Sequence, residues 1–222
     1  YILDWENELT FPFKRFQAQP VWRGERSQRG RFKEIWQADV DVIWQEMEKP
    51  QIGKNLYYDA EMMVVIAKTL HQIIEKFIPG KTFTIHINNR YLLAGVMEQF
   101  PEAKRPEIYS LLDKYYKITD EQFTKEVENL LEKDSKKLLD FVNCTLEDLN
   151  TYWLENDNFK RGVQELQEVF WYIKALNPNV KYNLVFDPYI IRWLDYYTGT
   201  VYETFFDDDM ALWSISSGGR YE

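Results

Sequence analysis

Two stretches near the start of the chain alternate polar and apolar positions. They run from Phe16 to Gly24 and from Glu34 to Trp44, the second marked by Val40, Val42 and Trp44. A period of two is that of a half-buried strand. The polar, glycine-containing hexapeptide SQRGRF lies between them. The pair therefore predicts a long antiparallel hairpin with a basic loop, preceded by an irregular stretch over 1–15. The period then lengthens. Met62, Val65, Ile66, Leu70, Ile73 and Ile74 recur at helical spacing, which predicts a helix from Tyr58 to Phe77 ended by Pro79-Gly80. KTFTIHIN (81–88) alternates again as a strand, and Arg90 to Phe100 reads as a helix stopped before Pro101.

From 102 to 160 the chain becomes rich in Lys, Glu, Asp and Leu, with helix-start signals at Thr119-Asp120 and Thr145 to Asp148. A further helix is predicted from Asn158 to Ala175, closed by Asn177-Pro178-Asn179. Strands are predicted at Lys181–Phe186, Thr198–Phe206 and Ala211–Ser216. Strands at both ends with helices between imply an α+β fold carrying an all-α insertion, divided as 1–101, 102–160 and 161–222.

Composition narrows the functional classes. The chain has 222 residues, 45% of them hydrophobic, enough for a sizeable core. The single Cys144 excludes an internal disulfide framework and a cysteine-rich zinc site. No apolar run approaches the length of a membrane span. With no leader peptide visible, these features favour a cytoplasmic protein without a membrane partner, although the chain begins at Tyr1 rather than Met. A net charge of −9 argues against a surface that coats nucleic acid generally. The charge is uneven, however. Lys14 to Lys33 holds seven Lys or Arg and one acid, Glu25.

That basic stretch is one of two segments that carry chemistry. Val21 to Asp41 places Arg23, Arg26, Arg29 and Arg31 beside Gly24 and Gly30. Planar guanidinium groups beside glycine suit phosphate binding, although such a loop is more commonly a solvated turn. Ile191 to Glu203 places Arg192 just before Asp195, Tyr196, Tyr197 and Thr198. Tyrosine, aspartate and threonine together suit a small polar ligand with both donors and acceptors, although tyrosines in strands more often pack. Asp41 alternates with apolar neighbours and also suits an exposed strand face. His71 and His86 form no ligand pair, and no metal site is assigned.

These segments resemble a known family. Residues 21–44 resemble motif 2 of class II aminoacyl-tRNA synthetases in its histidyl version. Residues 191–203 resemble the second histidine-binding motif of histidyl-tRNA synthetases, and SISSGGRYE (214–222) resembles the Gly-Gly-Arg-Tyr segment that follows it. The resemblance implies a class II synthetase-like antiparallel sheet flanked by helices, with 102–160 as the insertion between two parts of the catalytic core. It implies that Arg23 binds the α-phosphate of ATP, that Glu25 contacts the adenine amino group and that Arg31 reaches the terminal phosphates. Gln37 and Asp41 would contact bound histidine, at the amino group and the imidazole respectively. Tyr196, Tyr197 and Tyr221 would complete that pocket, with Tyr197 on the other imidazole nitrogen. Arg192, with Arg23, would stabilise charge as the carboxylate attacks phosphorus, with Mg²⁺ accompanying ATP.

Further implied are the acceptor arm of tRNA(His) as partner and a homodimer in the full-length protein. Ile35 stands where the family usually has a phenylalanine, and Trp193 where it has a glycine. The family's motif 1, motif 3 and anticodon-binding domain are not in the sequence. The competing reading is a synthetase-like regulatory subunit of ATP phosphoribosyltransferase, which senses histidine and does not aminoacylate. The phosphate-handling arginines favour the synthetase.

Overall fold

The computed structural model describes all residues except 1, 6, 25, 28–31, 45–55, 153–154, 180–181, 192–195, 209–213 and 222. Strand β1 (Phe13–Trp22) and strand β2 (Glu34–Ile43) pair antiparallel along their whole length, in register from Phe13↔Ile43 to Trp22↔Glu34. One further bond, from the Arg23 amide to the Lys33 carbonyl at 2.8 Å, closes the ladder toward the loop. The hairpin forms a sheet of its own.

Helix α1 (Leu56–Phe77) follows, starting two residues before the apolar periodicity predicts. Strand β3 (Phe83–Asn89) runs directly into helix α2 (Arg90–Met97). Asn89 makes that sharp junction possible: its extended backbone ends the strand while its side chain accepts the amides of Tyr91 and Leu92. Helices α3 (Arg105–Lys114), α4 (Asp120–Leu131) and α5 (Ser135–Val142) then form a helical segment joined by short 3-10 turns. Thr119 caps α4 through the Gln122 amide, as its sequence predicts. The second start signal, at Thr145 to Asp148, forms its reciprocal cap but leads only to one 3-10 turn at Asp148–Asn150. Asn150 and the aromatic Tyr152 follow within four residues of the cap, leaving no apolar stripe to lengthen a helix.

Helix α6 (Asp157–Leu176) is capped by Asn156 and returns the chain to the sheet. It lies very close to α2. A Cβ at Gly162 would sit 2.2 Å from the Leu92 amide, and one at Gly95 2.5 Å from the Phe159 amide, so only glycine allows these backbones to approach. Strands β4 (Asn183–Phe186), β5 (Thr200–Phe206) and β6 (Ser216–Gly219) complete a second sheet of order β4-β3-β5-β6. Only the β3–β4 pair is parallel. The fold is α+β, with sheets flanked by helices. The last strand differs from expectation: Ser214 and Ile215 precede it, and it runs on through Gly218-Gly219.

Alternation assigns the two faces of this sheet. Phe83, Ile85 and Ile87 of β3 join a core with Ala60, Met63 and Ala67 of α1 and Leu166, Val169 and Ile173 of α6. Register places Thr200, Tyr202 and Thr204 of β5 on that same face. Thr84, His86 and Asn88 point to the other face, with Val201, Glu203 and Phe205. Among the described residues no helix is long and apolar enough to cross a membrane.

Candidate functional site

The hairpin presents two unlike faces. On one, Phe16, Trp22 and Trp36 are 82%, 72% and 76% exposed. On the other, the paired positions read Gln19/Gln37, Gln17/Asp39 and Arg15/Asp41 from loop to base. This polar face looks inward. With α1, β5, β6 and Tyr196–Tyr197 it encloses a cavity of about 230 Å³ whose walls include Asp39, Asp41, Tyr58, Tyr197, Tyr202 and Tyr221.

Asp41 is part of its wall. The Tyr221 hydroxyl donates to its Oδ1 at 3.1 Å, and the Arg15 guanidinium contacts its Oδ2 at 2.9 Å. This links the hairpin to the chain beyond β6 across 180 residues of sequence. Each carboxylate oxygen keeps a second lone pair, so Asp41 can still accept from a ligand N–H. Asp41 does not lie on an outward strand face, the alternative its alternation allowed. Tyr196 stacks on Tyr221 at 5.5 Å between centroids and meets Tyr197 edge-on at 5.1 Å, forming an aromatic wall. Burial, with Tyr196, Asp41 and Glu203 nearby, pushes the Tyr197 hydroxyl above its ordinary range; burial and Asp41 do the same to Tyr221. Both phenols therefore remain protonated at neutral pH and can donate and accept.

Toward the loop the polar face continues as a hydrogen-bonded chain. Arg23 Nη2 donates to Gln37 Oε1 at 2.9 Å, Gln37 Nε2 donates to Asp39 Oδ1 at 2.8 Å, and Gln17 Nε2 donates to Asp39 Oδ2 at 2.9 Å. A carboxylate only accepts, so Asp39 fixes which end of the Gln37 amide faces it. The carbonyl end is thereby turned toward Arg23. Of the candidate residues, Asp41, Tyr196, Tyr197 and Tyr221 line the cavity, and Arg23 and Gln37 join it through the hydrogen-bonded chain that ends on Asp39. Glu25, Arg31, Arg192 and Trp193 lie outside the described residues.

The far wall rests on residues that sequence reasoning missed. Asp59 of α1 is buried and accepts from Thr200 Oγ1 at 2.7 Å and from Arg220 Nε and Nη2 at 3.2 and 2.7 Å. Burial pushes the Asp59 carboxyl up, against the pull of Arg220. Burial also works against the Arg220 charge, but Asp59 outweighs it and holds the guanidinium above its ordinary range. The pair fixes the segment leading into Tyr221. Gly218 and Gly219 let β6 lie flat on this wall: a Cβ at Gly218 would fall 2.2 Å from the Tyr202 hydroxyl, and one at Gly219 2.8 Å from the Tyr197 ring. Arg220 belongs to the recognised tail, but nothing local marks its partner 161 residues away.

Comparison with known proteins agrees with this architecture. The sequence matches the family model described as histidyl-tRNA synthetase over residues 18–222. It is 38% identical over 231 residues to the histidine–tRNA ligase of Clostridium tetani, covering all of this chain and 50% of that protein. The crystal structure of histidyl-tRNA synthetase from Nostoc sp. PCC 7120 superposes with a TM-score of 0.80 at 34% identity, again over the whole of this chain and 50% of the other. A Bacillus halodurans structure described as an ATP phosphoribosyltransferase regulatory subunit/histidyl-tRNA synthetase shares the fold, with a TM-score of 0.73 at 16% identity, over 99% of this chain and 54% of that one. The chain spans about half the length of the curated relatives it matches.

Proposed function

The chain belongs to the histidyl-tRNA synthetase family, and from that premise we propose that it supplies the histidine pocket and part of the ATP site of a histidine–tRNA ligase. The reaction is activation of histidine by ATP to histidyl-adenylate, followed by transfer to tRNA(His). The observation that carries this reading is the contact between Asp41 and Tyr221 within a cavity walled by Tyr196 and Tyr197.

A neutral imidazole has one N–H and one bare nitrogen. Asp41, held on both oxygens, is the acceptor for the N–H, and the Tyr197 hydroxyl is the donor for the other nitrogen. Gln37, its carbonyl turned outward by Asp39, is the acceptor for the α-ammonium group. Arg23 stands beside Gln37, and there it serves the α-phosphate. This orders imidazole, amino group and phosphate along the strand face, from base to loop. Attack of the carboxylate at phosphorus increases charge on the phosphate oxygens, which Arg23 and Arg192 stabilise. Glu25 contacts adenine and Arg31 the terminal phosphates. Among the described residues no three His, Cys, Asp or Glu form a metal cage. Mg²⁺ favours few protein ligands and is assigned to the ATP phosphates that bring it. Residues 102–160 are the family's insertion, facing the acceptor arm, and the full-length protein is a homodimer.

The test is histidine-dependent ATP–pyrophosphate exchange by the full-length protein. Exchange that depends on histidine, and that Arg192→Ala lowers far more than it weakens histidine binding, supports the ligase. Histidine binding without exchange supports a regulatory subunit and overturns the enzyme.

A further inference from the structure

The inward face of the hairpin carries two carboxylates whose surroundings differ in charge. Asp39 accepts from the side-chain amides of Gln37 and Gln17 at 2.8 and 2.9 Å, and both donors are neutral. Asp41, two residues nearer the base, stands directly across the ladder from Arg15. The Arg15 guanidinium reaches Asp41 Oδ2 at 2.9 Å, while Tyr221 donates to Oδ1 at 3.1 Å. The side chains of Arg15 and Asp41 are 40% and 26% exposed. The pair is therefore partly solvated, and its role lies less in stability than in the charge it presents to the cavity.

The neighbouring cations are committed elsewhere. Lys14, next to Arg15 in β1, pairs with Glu61 of α1 at 2.7 Å, and Arg220 pairs with Asp59 at the same distance. Arg23 bonds the neutral Gln37. Burial pushes the hydroxyls of Tyr197, Tyr202 and Tyr221 above their ordinary range, so they bring no charge. Glu203 of β5 comes near Tyr197, but its side chain stands on the sheet face opposite Tyr202. Among the described residues, then, Asp41 has its charge offset by a cation in contact, whereas the contacts of Asp39 are neutral.

We propose that Arg15 is a specificity-determining residue: by offsetting the charge of Asp41 it makes the imidazole end of the pocket select the neutral ring over imidazolium, and it leaves the charge of Asp39 to the ammonium end. This rests on the histidine-pocket reading above and adds which form of histidine the pocket takes. The ligand is divided in the same way. Its α-ammonium group is charged near neutral pH, whereas its ring titrates with an ordinary pKa of ~6.5. A bare carboxylate within ~4–6 Å of the ring would favour imidazolium, raising its pKa by about 1–3 units. Arg15 cancels most of that attraction. The Tyr197 hydroxyl then donates to the bare ring nitrogen, which only neutral imidazole possesses.

The test is calorimetric titration of the full-length protein with histidine, about one pH unit above and one below the ring's ordinary pKa of ~6.5. A pocket that takes only the neutral ring should bind about tenfold more weakly at the lower pH, because the neutral fraction falls about tenfold. The triazole analogue of histidine, whose ring stays neutral over this range, should bind equally at both. Arg15→Gln removes the charge, and the weakening should vanish or reverse, because Asp41 then draws the imidazolium. Arg15→Lys keeps the charge and should restore the weakening, a rescue that a merely structural role does not predict. Wild-type binding equally tight at both pH values overturns the assignment, and so does an undiminished weakening in Arg15→Gln. The same weakening with the triazole analogue also overturns it, because the titrating group is then in the protein. Loss of binding by Arg15→Gln at both pH values makes Arg15 structural and overturns it equally. A wild-type protein that binds no histidine at either pH overturns the pocket reading itself, and this assignment with it.

Discussion

Replacing Arg220 by methionine isolates the contribution of the buried pair beneath the pocket wall. Asp59 has a side chain only 5% exposed, and three of its hydrogen bonds come from Arg220 and Thr200. Methionine keeps an unbranched stem in place of the arginine's and removes both bonds from Arg220. An unpartnered buried carboxylate typically costs about 3–5 kcal/mol. That cost has a ceiling, because Asp59 can take a proton instead. Holding a carboxyl of unfolded pKa ~3.9 protonated at pH 7 costs about 1.4 kcal/mol per pH unit, or roughly 4 kcal/mol. Burial already pushes this carboxyl up in the intact protein, so removal of the opposing Arg220 moves it further in the same direction. The sign of the pH dependence follows. The folded variant holds a proton that the unfolded chain releases above about pH 4, so its stability falls as pH rises until the folded carboxyl ionises. The loss relative to the parent should therefore be at most about 4 kcal/mol at pH 7 and at most about 1.5 kcal/mol at pH 5. Urea unfolding at the two pH values measures both. An equal loss at pH 5 and pH 7 would refute the argument, because it would mean that Asp59 stays ionised without its partner.

Two further substitutions probe the walls of the cavity. Gly218→Ala brings a Cβ to within 2.2 Å of the Tyr202 hydroxyl; displacement of β6 should cost about 1–3 kcal/mol in stability and weaken histidine binding, as measured by denaturation and calorimetry. Asp39→Asn releases the constraint on the Gln37 amide; the KM for histidine in pyrophosphate exchange should rise about tenfold while the thermal midpoint barely moves, and an unchanged KM would separate Gln37 from the amino group.

Much of this architecture can be read from local patterns. Alternation located both hairpin strands, and the helical period located α1 and α6, because each such element buries one stripe or face and its sequence records that stripe. Thr119 predicted the start of α4 because the cap is a local bond. Strand β6 was displaced by three to five residues for the opposite reason. SSGG has no β propensity, and the strand forms where the Tyr202 and Tyr197 rings leave room only for glycine. The residues that support the site were hidden by distance in sequence. Asp59 reads locally as an acid in the first turn of a helix, and only the fold brings Arg220 to it.

The hairpin shows where pattern reading reaches its limit. Period-two alternation divides a strand into two faces but does not say which face turns inward. Hydrophobicity would choose the side bearing Phe16, Trp36 and Val40, yet those residues are 82%, 76% and 40% exposed, and the side bearing Gln17, Gln37, Asp39 and Asp41 places Asp39 and Asp41 on the cavity wall. The polar face can turn inward because its groups satisfy one another: Gln17 and Gln37 share Asp39, Arg15 and Tyr221 share Asp41, and Arg23 takes the remaining carbonyl. Burying such groups without partners would be costly. Here the bonds hold each donor and acceptor in place, and the lone pairs left over on Asp41 and Gln37 are those available to a small polar ligand. In this chain an inverted strand pattern marks the site more sharply than the cluster of arginines in the loop, because the inversion is affordable only where the polar face has partners and a cavity to line.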